Sequence, residues 1–199
     1  MKPLTHYIQE KLVIKKSKYN YFPQTKEELQ DIINQRIEQE GYEVDLNDID
    51  TSNITDMSAL FSRTDFNGDI SNWDVSKVTN MNAMFQECES FNQDISKWDV
   101  SNVTNMNSMF YNCEVFNQDI SNWDVSNVED MSWMFARCEA FNQDISKWDV
   151  SNVTKMAYMF FYCKKFNSDI SNWDVSKVEV HSFIFDYSHI EGKHKPKFE

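Results

Sequence analysis

A chain of 199 residues with 41% hydrophobic side chains is long enough for one domain with a buried core, and its three Gly and three Pro exclude collagen-like structure. The formal net charge of −13 disfavours nucleic acid as a partner, because an acidic surface repels the phosphate backbone. No apolar run is long enough to span a membrane, and the first residues lack the apolar core of a signal peptide. We therefore expect a cytoplasmic protein with no nucleic-acid or membrane partner.

Residues 1–43 are predicted to form an N-terminal segment that ends in a capping helix. The run Thr25-Lys26-Glu27-Glu28 is a capping box, in which a side-chain acceptor is followed three residues later by Glu. We predict that it opens a helix over residues 25–40, which stops at Gly41 and buries Leu29, Ile32, Ile33 and Ile37. Such a helix would cover the first coil of a repeat array, because an open end exposes apolar core.

The beginning of this segment allows several interpretations. Apolar residues between positions 4 and 14 suggest a short amphipathic helix that runs into a strand-like stretch. Residues 1–26 hold six Lys against one Glu, which fits either a small basic arm or a solvated terminus.

A 25-residue unit recurs through residues 44–190. Copies begin at Phe66, Phe91, Phe116, Phe141 and Phe166, and each contains a Trp-Asp-Val triplet. A fixed period of this length is typical of a solenoid, in which each unit buries its apolar face against its neighbours. Residues 44–65 fit a degenerate first coil, which gives about six coils, and residues 191–199 form a polar C-terminal tail.

Each unit is predicted to contain a short strand and a short helix. The stretch from Asp69 to Val75 has strand-type composition, with Ile70 and Trp73 directed inward together with Val75. The next residues place apolar side chains at helical spacing, and Ser76 or Ser126 would cap the helix. We therefore predict an α/β solenoid of leucine-rich-repeat-like coils. The apolar set in the first full unit is Val78, Met81, Met84, Phe85 and Cys88.

The motif Val-Thr-x-Met-x-x-Met-Phe-x-x-Cys, with a Phe-Asn pair that starts seven residues before each Trp, closely resembles the BspA-like leucine-rich repeats. These are also known as the mycoplasma-type repeats of domain of unknown function 285. The resemblance covers residues 44–188 and implies a leucine-rich-repeat-like solenoid without catalytic activity. Such proteins occur on bacterial surfaces, where some act in adhesion, and as short unsecreted proteins of bacteria and phages. Family resemblance thus adds the cell surface as a second location.

Two kinds of repeated residue could bind a metal ion. The four cysteines recur every 25 residues and would form a column, which could bind zinc, form disulfides or be a buried apolar column. We favour the buried column because no closely spaced Cys pair exists. The Asp columns that begin at Asp69 and Asp74 would hold calcium or accept bonds from backbone N–H groups, and we favour the second. The cysteines are Cys88, Cys113, Cys138 and Cys163.

No catalytic constellation emerges from the sequence. None of the four His lies at a position shared by the regular units, and no phosphate loop or nucleophile elbow exists. The repeated Trp and Phe-Asn pairs could form a binding face, although identical residues in every unit more simply indicate identical packing. We therefore expect neither enzyme activity nor a cofactor.

The positions that differ between units carry the functional prediction. They are i,i+4 pairs, expected on the outer side of the predicted helices, and the last three coils place aromatic residues and Arg there. Such residues dominate interface hot spots. The predicted partner-binding residues are Trp133, Arg137, Tyr158, Phe161, Tyr162, Phe183 and Tyr187.

We predict a non-catalytic, repeat-built protein-interaction module that binds a protein partner through these residues or through the sheet face. The alternatives are a structural or self-assembling protein and a surface adhesin of the BspA-like type. In a further alternative, the tail after Ile190 folds over the aromatic residues and buries them.

Overall fold

The computed structural model of the chain describes residues 18–198. The helix predicted between residues 4 and 14 lies outside them. Helix α1 spans Lys26–Glu40 and confirms the predicted capping helix. The hydroxyl of Thr25 accepts the N–H of Glu28, and the Glu28 carboxylate reaches back to the N–H of Gln24. Gly41 ends the helix with φ of 87°, a conformation that suits a residue without a Cβ.

Helix α1 covers the start of the repeat array. Its Leu29 and Ile33 are fully buried in the same core as the repeats. The Arg36 guanidinium, which is almost fully buried, donates to Asp48 Oδ1 at 2.8 Å and to the Asp45 carbonyl at 3.0 Å. These bonds attach α1 to the first coil, which is the capping role predicted for it.

The repeats form coils that stack in register, and we number them by the copies of the unit. Coil 1 is residues 44–65, and coils 2 to 6 begin at Phe66, Phe91, Phe116, Phe141 and Phe166. Between coils 2 and 3, the N–H groups of Met81, Ala83, Phe85 and Glu87 donate to carbonyls 24 residues later, at 2.7–2.9 Å. Every second N–H of this segment thus binds the next coil.

The prediction of strand–helix coils is wrong. Over residues 18–198 the structure has one α-helix, one 3₁₀ turn at Gly192–His194 and no β-strand; the β-bridges between neighbouring coils are isolated parallel ones such as Asn80↔Asn105, and none extends into a strand. The segment predicted as a helix is a series of turns, in which Gln86 donates to the Ala83 carbonyl at 3.1 Å. The repeat region is therefore not an α/β solenoid.

The predicted strand and helix caps fail because Asp side chains take the local N–H groups. Asp69 accepts the N–H of Ser71, and Asp74 accepts both the N–H and the hydroxyl of Ser76. Ser126, predicted to open a capping box, donates in the same way to Asp124. Local turns of this kind compete with regular strands and helices for the same backbone groups.

The apolar residues nevertheless point inward as predicted. Ile70, Trp73 and Val75 are buried, and so are the five apolar residues from Val78 to Cys88. Two columns of parallel Phe rings run through the core, with centroids 5.5–5.9 Å apart in the column from Phe61 to Phe185. Each buried Trp of the triplets donates its indole N–H to a carbonyl of the preceding coil, as Trp123 does to Ile95 at 3.2 Å.

The two ends of the stack differ. In coil 6 the N–H groups equivalent to those that join the other coils belong to His181, Phe183, Phe185 and Tyr187, and within the described residues none of them has an acceptor. The tail crosses part of this end: the His194 carbonyl accepts the N–H of Ile170 at 3.0 Å. Phe198 lies against His181, with ring centroids 5.0 Å apart.

Candidate functional site

The variable positions of the repeats share an unusual backbone conformation. Ala83 and Glu87, and their counterparts in every coil, have φ between 55° and 62°. This left-handed region costs a residue with a side chain about 1–2 kcal/mol. The pairs therefore lie at the corners of tight turns and not on a helix face. The full set is Ala59, Arg63, Ala83, Glu87, Ser108, Asn112, Trp133, Arg137, Tyr158, Tyr162, Phe183 and Tyr187.

The structure brings the seven predicted partner-binding residues together. Trp133 stacks on Tyr158 with centroids 4.0 Å apart and planes 10° apart, and Tyr158 stacks on Phe183 at 5.0 Å. Beside this column Tyr162 stacks on Tyr187 at 4.6 Å. We call the seven residues the aromatic surface.

Two further residues complete the aromatic surface. Phe161 joins its two columns by edge contacts, with its ring centroid 5.5 Å from that of Tyr158 and 5.6 Å from that of Tyr187. Arg137 lies over the ring of Tyr162, with the guanidinium carbon 5.6 Å from the centroid.

Exposure along the aromatic surface rises toward the end of the stack. Trp133 and Tyr158 are partly exposed, whereas Phe183 is 53% and Tyr187 67% exposed. Both faces of the Tyr158 ring are covered, one by Trp133 and the other by Phe183, so coil 5 presents the edge of that ring. The tail contacts Phe185 and His181 at the end of the stack, with Lys195 Nζ 5.1 Å from the Phe185 ring centroid. The tail thus caps the end of coil 6, and among residues 18–198 no ring contact of the tail with the aromatic surface is found.

Sequence reasoning missed one side chain at the border of this surface. Tyr111 contacts Trp133 edge-on, with centroids 5.8 Å apart and planes at 71°. Tyr111 occupies the same place in its 25-residue unit as Phe161, so comparison of the units at that position would have identified it. A cavity of about 440 Å³ opens beside the two rings. It is lined by Gln86, Glu87, Asn107, Ser108, Tyr111 and Trp133.

The cysteine column is buried and reduced. Cys88, Cys113, Cys138 and Cys163 are free thiols with no exposed area, and the sulfur of Cys113 lies 3.0 Å from the Phe85 carbonyl oxygen as a donor. Burial raises the pKa of Cys88 to about 12, and it raises the pKa of Cys113 and Cys138 well above the ordinary value. Protonated thiols of this kind are poor metal ligands and nucleophiles.

The carboxylates of the Asp columns accept hydrogen bonds from backbone N–H groups, as the interpretation favoured from the sequence predicts. Asp119 accepts the N–H of Ser121 at 2.9 Å, and Asp124 accepts that of Ser126 at 3.1 Å. Hydrogen bonding from Ser121 holds the pKa of the Asp119 carboxyl below its ordinary value. The Ser121 side chain makes the larger contribution and its backbone N–H the smaller. In the part of the chain that the structure describes, no three His, Cys, Asp or Glu residues are grouped as a metal site.

No helix among residues 18–198 has the length and apolarity that crossing a bilayer requires.

Comparison with known proteins gives one match, which is to a protein family. No curated protein and no solved structure matches the chain. A family model described as "Mycoplasma protein of unknown function, DUF285" matches residues 31–142 and 116–193. This is the same repeat family as the BspA-like repeats, and the chain belongs to it.

Proposed function

We propose that this protein is a non-catalytic protein-interaction module that binds its partner through the aromatic surface. The observation that carries the proposal is the continuous contact among seven side chains at variable positions of three successive coils. Trp, Tyr and Arg are the residue types that supply most of the binding free energy in protein interfaces.

The packing of the rings favours a protein partner over a planar ligand. Tyr158 has one face against Trp133 and the other against Phe183, so neither face is open to a flat molecule. The accessible parts of Tyr158 are its ring edge and its hydroxyl group, and the Arg137 guanidinium adds a cation over the neighbouring Tyr162 ring. Such amphipathic surfaces match the mixed apolar and polar character of protein interfaces.

Charge narrows the class of partner further. The repeat region from residue 46 to 190 holds 22 acidic and 9 basic residues, so it produces a negative field around the aromatic surface. This field would attract a partner with basic residues at the rim of its binding surface. Added salt would then lower the association rate constant. We therefore propose a basic protein as the partner.

The experiment is affinity capture from the source cell with three matched baits. Trp133→Ala/Tyr158→Ala removes two rings of the aromatic surface. Phe22→Ala/Tyr42→Ala removes two rings that are 53% and 45% exposed at the other end of the chain. A protein retained by the wild type and the control, and lost with the first variant, would support the proposal. Equal capture by all three baits would refute it.

A second candidate, self-assembly, is favoured by the open end of coil 6. Its unpaired N–H groups would donate to carbonyls of another chain, yet two such ends would set donors against donors. The opposite end of the stack is covered by α1, where Gln30 donates to the Leu60 carbonyl at 3.0 Å. Sedimentation equilibrium across a wide concentration range would decide: a constant monomer mass excludes self-assembly, and a rising mass supports it.

A further inference from the structure

One column of variable residues changes abruptly in size between coils 3 and 4. Ala83 and Ser108 occupy the positions that Trp133, Tyr158 and Phe183 occupy later, with the same left-handed backbone. Trp133 therefore stacks on Tyr158 through one face only, and beyond its other face lies the small side chain of Ser108. The result is the cavity of about 440 Å³ described above, which we call the Trp133 notch.

The walls of the Trp133 notch suit an organic cation. The rings of Trp133 and Tyr111 meet at 71° and form an aromatic corner. An indole face is the best aromatic acceptor for an ammonium or guanidinium group, and paired rings are the usual receptor for such groups. The other lining groups are two amides, one hydroxyl and the Glu87 carboxylate.

Glu87 supplies the negative charge of the notch and already binds a guanidinium in this chain. Its Oε2 lies 3.4 Å from Nε of Arg63, and the Arg63 side chain is 72% exposed. An ion pair this exposed contributes little free energy, so an incoming cation can replace Arg63 at small cost. The aromatic corner, the carboxylate and the acidic field all select the same sign of charge.

We infer that the Trp133 notch binds the guanidinium or ammonium group of a basic side chain on the partner protein. The inference rests on the proposed function, since it names one anchoring contact at the edge of the aromatic surface. The cation stacks on the open face of Trp133 and pairs with Glu87, while the neighbouring rings bury the rest of the interface.

The test uses Trp133 as its own reporter. It is the one Trp of six that is not buried, whereas the other five are 4–6% exposed with their indole N–H groups bonded to carbonyls. Its indole signal in a ¹H–¹⁵N spectrum is assigned by its loss in Trp133→Phe. N-acetyl-arginine amide is then titrated at constant ionic strength, with neutral N-acetyl-glutamine amide as the control probe. We expect a saturable shift of the Trp133 signal with the arginine compound alone.

Matched variants separate the notch from general attraction to an acidic protein. Ser108→Trp places in coil 3 the residue that coil 4 carries at nearly the same φ, so it fills the notch without a new backbone strain. We expect it to abolish the arginine-dependent shift of the Trp133 signal, because the new indole covers the open face of Trp133. Glu87→Gln should raise the dissociation constant about fivefold, whereas Glu114→Gln, an exposed carboxylate outside the notch, should leave it unchanged.

Each outcome bears on the inference separately from the proposed function. The inference would be overturned by no shift of the Trp133 signal with the arginine compound, by an equal shift with the glutamine compound, or by an undiminished shift of the Trp133 signal in Ser108→Trp. None of these results would change how the capture experiment with Trp133→Ala/Tyr158→Ala is interpreted. Conversely, a saturable shift lost in Ser108→Trp supports the notch even if no cellular partner is captured.

Discussion

The side-chain Oδ1 of Asn117 accepts the backbone N–H of Asn142 at 2.9 Å, one full coil further along the chain. The Asn117 N–H donates in turn to Asn92 Oδ1 at the same distance. The ladder continues from Asn67 to Glu191, so one amide oxygen per coil satisfies the N–H of the next coil. Side chains thus join the coils at a place where no strand pairing does.

Replacing Asn117 with Ala should lower the free energy of unfolding by about 1–2 kcal/mol, because its Oδ1 accepts both the N–H of Asn142 and the side-chain amide of Gln143, and one hydrogen bond has a net value of about 1 kcal/mol. Asn117→Asp keeps an acceptor oxygen and should retain most of the stability at neutral pH. Urea unfolding at pH 7 gives both values. Asn122→Ala is the control, because Asn122 is exposed and its side chain makes no bond within the described residues; a loss as large as that of Asn117→Ala would show that the ladder bond is not the cause.

Glycine substitutions distinguish the turn segment from a helix. Ala83 and Ala157 are 8% and 9% exposed, but only Ala83 has a positive φ, of 55°. Gly relieves left-handed strain at Ala83, whereas at Ala157 it only adds freedom to the unfolded chain. We expect Ala157→Gly to be more destabilising than Ala83→Gly by about 1–2 kcal/mol, the cost of the left-handed conformation.

Thermal and urea unfolding of the two variants measure this difference. Each substitution removes one nearly buried methyl group, so the loss of apolar burial cancels in the comparison. Equal losses of stability in the two variants would contradict the left-handed geometry at Ala83. They are the result that the sequence-based helix would have required.

The sequence identified the inward residues because burial depends on spacing, and both helices and successive turns repeat a face every three to four residues. Met81, Met84 and Phe85 fit either structure. What periodicity could not reveal is the destination of the backbone N–H groups. Those of Met81 and Phe85 leave the coil for carbonyls 24 residues away, a choice that depends on the neighbouring coil.

The aromatic surface was foreseen in part for a related reason. Positions that vary between identical units face solvent or border it, so Trp133 and Tyr158 could be selected without knowledge of the turn geometry. The notch beside Trp133 could not, because it arises from the small size of Ser108 in the adjacent coil and from the edge contact of Tyr111. Both require the register of the coils.

Calcium should leave the melting temperature unchanged. Asp119 and Asp124 each direct Oδ1 at a Ser N–H, which leaves too few free oxygens for a cation that takes six to eight ligands. Differential scanning calorimetry with millimolar calcium, and with a chelator as the reference, measures the effect. A rise in melting temperature that is abolished by Asp119→Asn would reveal a calcium site in the columns.

Alkaline pH should destabilise the protein through the buried thiols. The ordinary pKa of a thiol is 9.0, and burial raises that of Cys88 to about 12 and that of Cys113 well above 9.0. Above pH 9.0 the unfolded chain releases these protons while the folded chain keeps them. The stability is therefore fully present below pH 9.0 and is lost as the pH rises toward the folded pKa values, by up to about 1.4 kcal/mol per pH unit for each thiol.

Urea unfolding under reducing conditions between neutral pH and pH 10 tests this slope. Cys113→Ala removes one of four thiols. The free energy of unfolding should therefore fall less steeply with rising pH, by the contribution of one proton. Val128→Ala, a buried change without a thiol, should lower stability equally at every pH and keep the wild-type slope. If Cys113→Ala also kept the wild-type slope, the thiol of Cys113 would already ionise in the folded chain, and the column would then be open to solvent and to metal.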